Sequence, residues 1–490
     1  MNIAEQRKTP IYTALQEYRA AGIVHFDVPG HKKNKNTPVG QAFGDKTVEF
    51  DANSTRELDL LANPSGVIAE GERLMAEAYG AEDAYLLVNG STFGVQAMIM
   101  SCCGPKDKIL MPRNVHKSAI NAVILSGATP VFLTPELDLE YGISNGVAVD
   151  TIKKAIKQHP DAKALFIINP TYYGIVSDLK EIIRICHKWN MPVLVDQAHG
   201  AHLSFHDDLP ISAAEIGADM TTLSMHKTAG SLTQSSVLLA NYGLVDRNRI
   251  SATINLMQTT SASYLLMASL DVARAQLAVN GEELYTKILK WCRKTRKRLN
   301  QVPGISCVTK DIVNGRGVYD FDETKFVIKV NNLGMTGFEV YDIMKRDYNI
   351  QLELGEAYIV LAVAGVGDTE DNFTKLVDAF KDLSKRFYAK KPPFKTDVNS
   401  FFDKPKTVIL PRDAYYSPKM TVKIDDAFGH IAGELIMIYP PGIPLVIHGE
   451  RITKKVIDSY KFYIKQGCTI VTIEGEPGLI RVLGNVDEHD

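Results

Sequence analysis

From residue 66 to about residue 240 the chain alternates between two hydrophobic periodicities. Residues 66–79 (GVIAEGERLMAEAY) place apolar side chains at helical spacing and stop at Gly80, which predicts an amphipathic helix. Short apolar runs follow at regular distance: AYLLVN, KILMP, TPVFLTP, KALFIINP, MPVLVD, MTTLSM and SVLLAN. Val149–Gln158 and residues 179–189 read as amphipathic helices between some of them. Apolar runs bounded by Pro, Gly and Asn, with helices between, predict an α/β domain whose largely parallel sheet is covered on both faces. Ligands of such sheets bind in the loops beyond the strand ends.

Residues 263–300 read as one long helix leading out of this region. Residues 305–388 mix strands (KFVIKV, IQLEL, IVLAVA) with helices (FEVYDIMKRDY, DNFTKLVDAFKDLSKRFY), as an α+β lobe would. AKKPPFKTD reads as a linker. The expected division is therefore 1–300 (an N-terminal arm, the large domain and a connecting helix), 301–390 (a small α+β domain) and 391–490 (a C-terminal domain containing IYPPGIPLVIHGERIT). A length of 490 residues with 45% hydrophobic side chains supports cores of that number and size. A net charge of −2 gives no steering toward nucleic acid or an anionic membrane. An apolar leader and a stretch of about 20 apolar residues are both absent from the sequence, so a cytoplasmic protein without a membrane span is expected. The six cysteines form no CxxC pair and no metal-ligand spacing, so no metal is expected and reduced thiols are.

Four motifs sit at predicted strand ends. Ser224-Met225-His226-Lys227 follows the apolar run ADMTTL, and a lysine there can be desolvated and attack a carbonyl. Asp196 closes VLVDQAHG. A carboxylate at the end of so apolar a run needs a cationic partner, which the pyridine nitrogen of pyridoxal phosphate (PLP) would supply. LLVNGSTFG ends a strand at Gly90, and Ser91 and Thr92 then open a helix whose N–H groups and dipole suit phosphate. PRNVHKS puts His116 in a strand-to-helix loop, where it could stack on a cofactor ring. Each feature has an ordinary reading: a surface lysine, an Asp or a Ser/Thr capping a helix, a loop histidine. Four such features at the ends of one sheet point to one PLP site with Lys227 as the Schiff-base residue.

Together with PGHK at Pro29-Gly30-His31-Lys32, NPTYYG, VDQAHGAH, SMHKTAGSLTQSS and YPPGIP, these motifs resemble the ornithine/lysine/arginine decarboxylases, over residues 8–475 and in the shorter bacterial form without a wing domain. The resemblance implies PLP fold type I, with a mostly parallel seven-stranded sheet in a large domain, a smaller α+β domain and a C-terminal appendage. It also implies roles. Lys227 binds the cofactor, Asp196 meets its pyridine nitrogen, Ala198 packs on the ring and His116 stacks on it. Gly90, Ser91, Thr92 and Ser224 hold the phosphate. Thr259 and Ser261 reach the phosphate of the other subunit, which implies a homodimer with shared sites, or a higher oligomer built from it. PGHK lies at the active-site mouth, and His226 or Lys227 returns the proton to Cα. Three departures stand out: PGHKKN for the usual PGHKKG, Gln197 where Asp-Glu-Ala-His is usual, and Phe93 after Ser91-Thr92 where small residues are more usual.

Glu353 and Glu356 in QLELGEAY could hold the far end of a basic substrate or be solvated turn carboxylates, and Glu434 invites the same two readings. His199 and His202 read as loop or core histidines, since no third metal ligand is suitably spaced. The implied activity is decarboxylation of a basic L-amino acid, arginine preferred over lysine or ornithine, to a polyamine-pathway amine. A PLP aminotransferase and a non-catalytic regulatory paralogue are the alternatives.

Overall fold

The computed structural model describes residues 1–396, 405–439, 443–473 and 475–484. Pro440, Pro441 and Gly442 of YPPGIP, and Asp397 of the linker, lie outside them. In chain order the elements that matter here are α1 (Val67–Tyr79), β1 (Asp83–Leu87), α2 (Gly90–Cys102), β2 (Lys108–Pro112), α3 (Lys117–Ser126) and β3 (Thr129–Leu133). They continue with α4 (Val149–Gln158), β4 (Ala164–Ile168), α5 (Leu179–His187), β5 (Val193–Asp196), β6 (Met220–Leu223), α6 (Met225–Thr228), β7 (Ser236–Ala240), α7 (Arg247–Met257) and α8 (Tyr264–Leu299). The smaller lobe adds β8 (Ser306–Cys307), β9 (Lys325–Lys329), α9 (Gly337–Tyr348), β10 (Leu354–Gly355), β11 (Ile359–Val363) and α10 (Glu370–Phe387).

Two compact units divide the chain. The first comprises residues 1–101, 192–287 and 365–367. Four strands of the α/β sheet lie in it, in the order β1-β7-β6-β5. β5 and β6 run parallel, whereas β7 is antiparallel to both β6 and β1. β5, β6 and β7 are buried at every position, which is why they read as unbroken apolar runs rather than alternating ones. α2 packs closely on this sheet: a Cβ at Gly94 would lie 2.1 Å from Thr222 Oγ1. Glycine at that position lets the start of α2 approach β6.

The second unit holds three parallel strands in the order β4-β2-β3. It also holds the small lobe's antiparallel sheet β8-β9-β11-β10. IQLEL, expected as a full strand, contributes only Leu354, the first residue of the two-residue β10. Its preceding residues turn instead, because α9 ends at Asn349 in the left-handed conformation (φ 53°) and Ile350 N closes the turn on Met344 O at 2.9 Å. Further along, the helix Lys454–Lys465 and the strands Lys419–Lys423 and Leu479–Leu483 enclose a core of Ile436, Val446, Ile452, Val456, Tyr460 and Val482. Arg113, just past β2, is clasped by this region: its Nη2 lies 2.8 Å from Oε2 of the fully buried Glu450.

Candidate active site

β6 delivers the lysine. Met220–Leu223 is buried throughout, and Thr222 satisfies its hydroxyl on Val237 O at 3.3 Å. The chain then leaves the sheet at Ser224 and makes one short helical turn, α6, whose third residue is Lys227. Contrary to the expected desolvated lysine, Lys227 is exposed. Its Nζ lies 2.8 Å from His199 Nε2. His199, read from sequence as a loop or core histidine, is thus a site residue. The one sequence signal for it was its position three residues after Asp196.

Asp196 ends β5 opposite Thr222 of β6 and is 6% exposed. It accepts the Ala198 N–H at 3.1 Å. Burial pushes its carboxyl above the usual range, against the opposing pull of the Lys227 ammonium and of the Ala198 N–H. Gln197 points away from this carboxylate. Its amide donates to Gly200 O at 3.0 Å and Ser212 Oγ at 3.1 Å, and its carbonyl accepts Ala213 N–H at 2.7 Å. An amide can serve the carbonyl and the N–H together, which a carboxylate cannot. The departure from Asp-Glu-Ala-His therefore anchors the loop through Gly200, Ser212 and Ala213.

Ser224 and Ser91 meet, Oγ to Oγ at 2.7 Å. Gly90 begins α2 with φ 70°, and its N–H is held by Gln234 O at 2.8 Å. Because the helix starts at Gly90, Ser91 and Thr92 lie inside its first turn and are not its caps. Their N–H groups are among those a helix cannot satisfy internally. His226 Nδ1 lies 3.0 Å from Ser235 O, so that nitrogen carries the proton. Burial lowers the His226 pKa, with the Lys227 charge adding to the effect and the Ser235 bond opposing it. Thr259 and Ser261 lie between α7 and α8, where Ser261 N–H donates to Thr259 Oγ1 at 3.2 Å. In PGHK, His31 Nε2 binds Asp51 at 3.0 Å.

The remaining expected residues belong to the second unit. His116 precedes α3 and caps it, with Nδ1 accepting Ser118 N–H at 3.3 Å. Glu353 is exposed and accepts the Tyr172 hydroxyl. Glu356 is half-buried, and its surroundings push its carboxyl up to about 8. Glu434 resolves to a structural role: fully buried, it accepts the backbone N–H groups of Arg481, at 2.6 Å, and Ile473.

The donor set of the first unit fits PLP. A desolvated carboxylate with acceptor capacity left suits a pyridinium, a primary amine stands on the neighbouring strand end, and paired hydroxyls at the start of a 13-residue helix suit a phosphate. An α/β sheet with such a lysine and carboxylate on adjacent strand ends defines the class, a fold type I enzyme. The chain belongs to the Orn/Lys/Arg decarboxylase family, a family of PLP enzymes: residues 9–372 match its major domain and residues 394–469 its C-terminal domain. It is accordingly a decarboxylase. It is 42% identical to an arginine decarboxylase of Bacillus subtilis, over 93% of this chain and 94% of that protein. It is 41% identical to the arginine decarboxylase of Halalkalibacterium halodurans, over 100% and 99%. The lysine decarboxylase LdcA of Pseudomonas aeruginosa is more distant, at 25% over 92% and 75%. The fold matches the constitutive lysine decarboxylase of E. coli with a TM-score of 0.82, at 20% identity over 98% of this chain and 82% of that one.

Proposed function

We propose that the protein is a PLP-dependent arginine decarboxylase. The observation that carries this reading is identity above 40% to proteins named arginine decarboxylase over nearly the whole of both chains, against 25% for a lysine decarboxylase. PLP bound at this site supplies an electron sink for the pair left behind when CO2 departs. Lys227 would hold the cofactor through its Nζ. Asp196 pairs with the pyridine nitrogen, and a cation arriving there relieves the burial that raises its pKa. Ala198 and His116 flank the ring, and Gly90, Ser91, Thr92 and Ser224 bind the phosphate. These roles follow the family's motifs, and the contacts among Ser91, Ser224, Lys227 and His199 support them.

A decarboxylase must hold the scissile carboxylate perpendicular to the ring and poorly solvated, using binding energy placed elsewhere on the substrate. Glu353 and Glu356 are assigned to the far guanidinium, whose planar fork suits carboxylates. The charge would also draw Glu356 back into its ionised form. The proton returned to Cα is assigned to Lys227. Nδ1 of His226 is committed to Ser235 O and burial lowers its pKa, which makes His226 a poorer proton donor than Lys227.

The enzyme is proposed to work as a homodimer in which Thr259 and Ser261 of one subunit reach the phosphate bound by the other. The first unit leaves Phe26 94% exposed and Val24 80% exposed, apolar surface that a second subunit would cover. The 1–300, 301–390 and 391–490 division is retained as the functional one, and the separate match of residues 394–469 supports it. A cytoplasmic location is proposed with it. Among the described residues no helix is long and apolar enough to cross a membrane. The test is CO2 release with arginine, lysine and ornithine side by side. Arginine is expected to give CO2 and its amine fastest. Transfer of the amino group to a 2-oxo acid without CO2 release would overturn the reading in favour of an aminotransferase.

A further inference from the structure

Two fully buried tyrosines tie the loop behind Asp196 to the turn that carries Lys227. Tyr79, the last residue of α1, donates its hydroxyl proton to Ala201 O at 2.6 Å, and the same oxygen lies 2.9 Å from Met225 Sδ. Tyr285 of α8 donates to Thr228 O at 2.9 Å, while its ring stacks on His202 at 5.2 Å between centroids and 27° between planes. Each tyrosine therefore touches one residue of the loop that begins at Gln197 and one end of α6. Met225 and Thr228 bound the turn, and Lys227 lies between them.

The turn needs such support. A four-residue helix leaves most of its N–H and C=O groups without intrahelical partners. Within it, Ala229 N–H reaches Met225 O and Lys227 N–H reaches Ser224 O. The Thr228 carbonyl takes its proton from Tyr285, outside the turn. The loop after Asp196 is equally irregular: Gln197 N–H reaches across to Thr222 O, and the Ala201 carbonyl is met by Tyr79. Phenols on rigid, packed rings fix the carbonyls they meet more tightly than a flexible donor would. The Tyr79 ring is itself wedged edge-on against Phe205 at 5.1 Å and 77°.

We propose that Tyr79 and Tyr285 are positioning residues that set the separation and aim of Lys227 relative to Asp196 and His199. The proposal rests on the reading of Lys227 and Asp196 as cofactor ligands. Neither tyrosine touches the reacting atoms. Tyr79 bonds a backbone carbonyl of the loop and the Met225 side chain of the turn. Tyr285 bonds a backbone carbonyl of the turn and stacks on the His202 side chain of the loop. Loss of both hydroxyls frees both carbonyls and leaves, of these links between the two segments, only the Tyr285–His202 stack.

The test compares Tyr79→Phe, Tyr285→Phe and the double variant with Tyr264→Phe. Tyr264 is a matched control: it is a buried tyrosine of the same unit whose hydroxyl donates to a backbone carbonyl, Asp59 O, at 2.6 Å, away from both segments. Four quantities are read: Tm, the affinity of the apoprotein for PLP by titration, the visible circular dichroism of the loaded enzyme, and kcat against KM with arginine. The double variant is expected to bind PLP about tenfold more weakly, to change the sign or amplitude of the cofactor band, and to lose about tenfold in kcat with KM within about twofold. Tyr264→Phe is expected to lower Tm comparably and to move neither PLP affinity nor the cofactor band. Wild-type affinity and dichroism in the double variant would overturn the proposal. So would the same cofactor changes in Tyr264→Phe, since general loosening would then explain them. If the double variant does not fold, the two single variants decide by the same readings. Absence of CO2 release by the wild type would refute the proposed function while leaving the binding and dichroism comparison intact.

Discussion

Asp59 and Asp196 are both buried aspartates of the first unit, and they are opposites. Asp59, 8% exposed, gathers the N–H groups of Leu60, Ser65, Gly66 and Ile68 at 2.8–3.2 Å and of Ala69 at 3.4 Å, at the start of α1. Burial would raise its pKa, but the bonds from Leu60, Gly66, Ser65 and Ile68 together hold the carboxyl below its usual value. Asp196, as deeply buried, takes one backbone N–H, and burial prevails. The protein completes the first carboxylate's shell from its own backbone and leaves the second open. An incomplete shell around a buried charge is the physical mark of a ligand's place, and burial alone is not.

Substitutions can break this comparison, and the largest effect is expected beside Asp196. Lys227→Ala should lower kcat by at least about a thousandfold if, as proposed, Lys227 holds the cofactor and moves the proton. An alanine variant with full turnover would remove Lys227 from the mechanism. Asp196→Asn should cost about a hundred- to a thousandfold in kcat, as an electrostatic partner of the transition state is lost. The fold should survive. In the apoprotein the raised Asp196 pKa means that ionisation opposes folding, so stability falls as pH rises from the unfolded value near 4 through the native value. Apo Asp196→Asn should therefore melt no lower than wild type at pH 7, which calorimetry can check.

Asp59→Ala should do the reverse. It is expected to cost about 3 kcal/mol of stability, since a charged cap on several N–H groups is removed, while kcat of the folded enzyme changes little. Its pKa is lowered on folding, so its stabilising contribution is present above about pH 4 and is lost as pH falls through the native value. The Tm difference from wild type should shrink below that range, and a difference that persisted would show that Asp59 acts by packing rather than charge. The smallest effect is expected at Glu356. Its carboxyl titrates near 8 in the fold, so the wild-type apoprotein loses stability as pH rises from the ordinary carboxylate range through about 8. Glu356→Gln should match wild type in acid and exceed it above pH 8 by a few degrees in Tm, and equal Tm values at both pH extremes would refute this.

Much of this molecule was legible in one dimension. The seven apolar runs became the seven α/β strands, and β5, β6 and β7 read as continuous because they are buried at every position. Val149–Gln158 is a helix with the predicted limits, and α8 spans the predicted long helix within a residue at each end. Lys227, Asp196, Ser91 and Ser224 stood out as candidates because polar side chains just past apolar runs interrupt a pattern that packing alone would continue. IQLEL misled because β propensity in a short run cannot foresee the helix end that precedes it.

What only the tertiary structure decided were contacts between segments far apart in sequence. Beyond its spacing from Asp196, nothing in VDQAHGAH says that His199 meets Lys227 while His202 stacks on Tyr285. Gln197 looked like a lost charge until Ser212 and Ala213 came to it. Tyr79 and Tyr285 are ordinary buried positions of amphipathic helices in sequence, and a carbonyl's need for a donor appears only once the turn around Lys227 is built. The sequence determined which residues could do the chemistry, because residue type and local period are written in it. The fold determined how those residues are held, because hydrogen bonds between distant segments depend on distances that sequence separation does not encode.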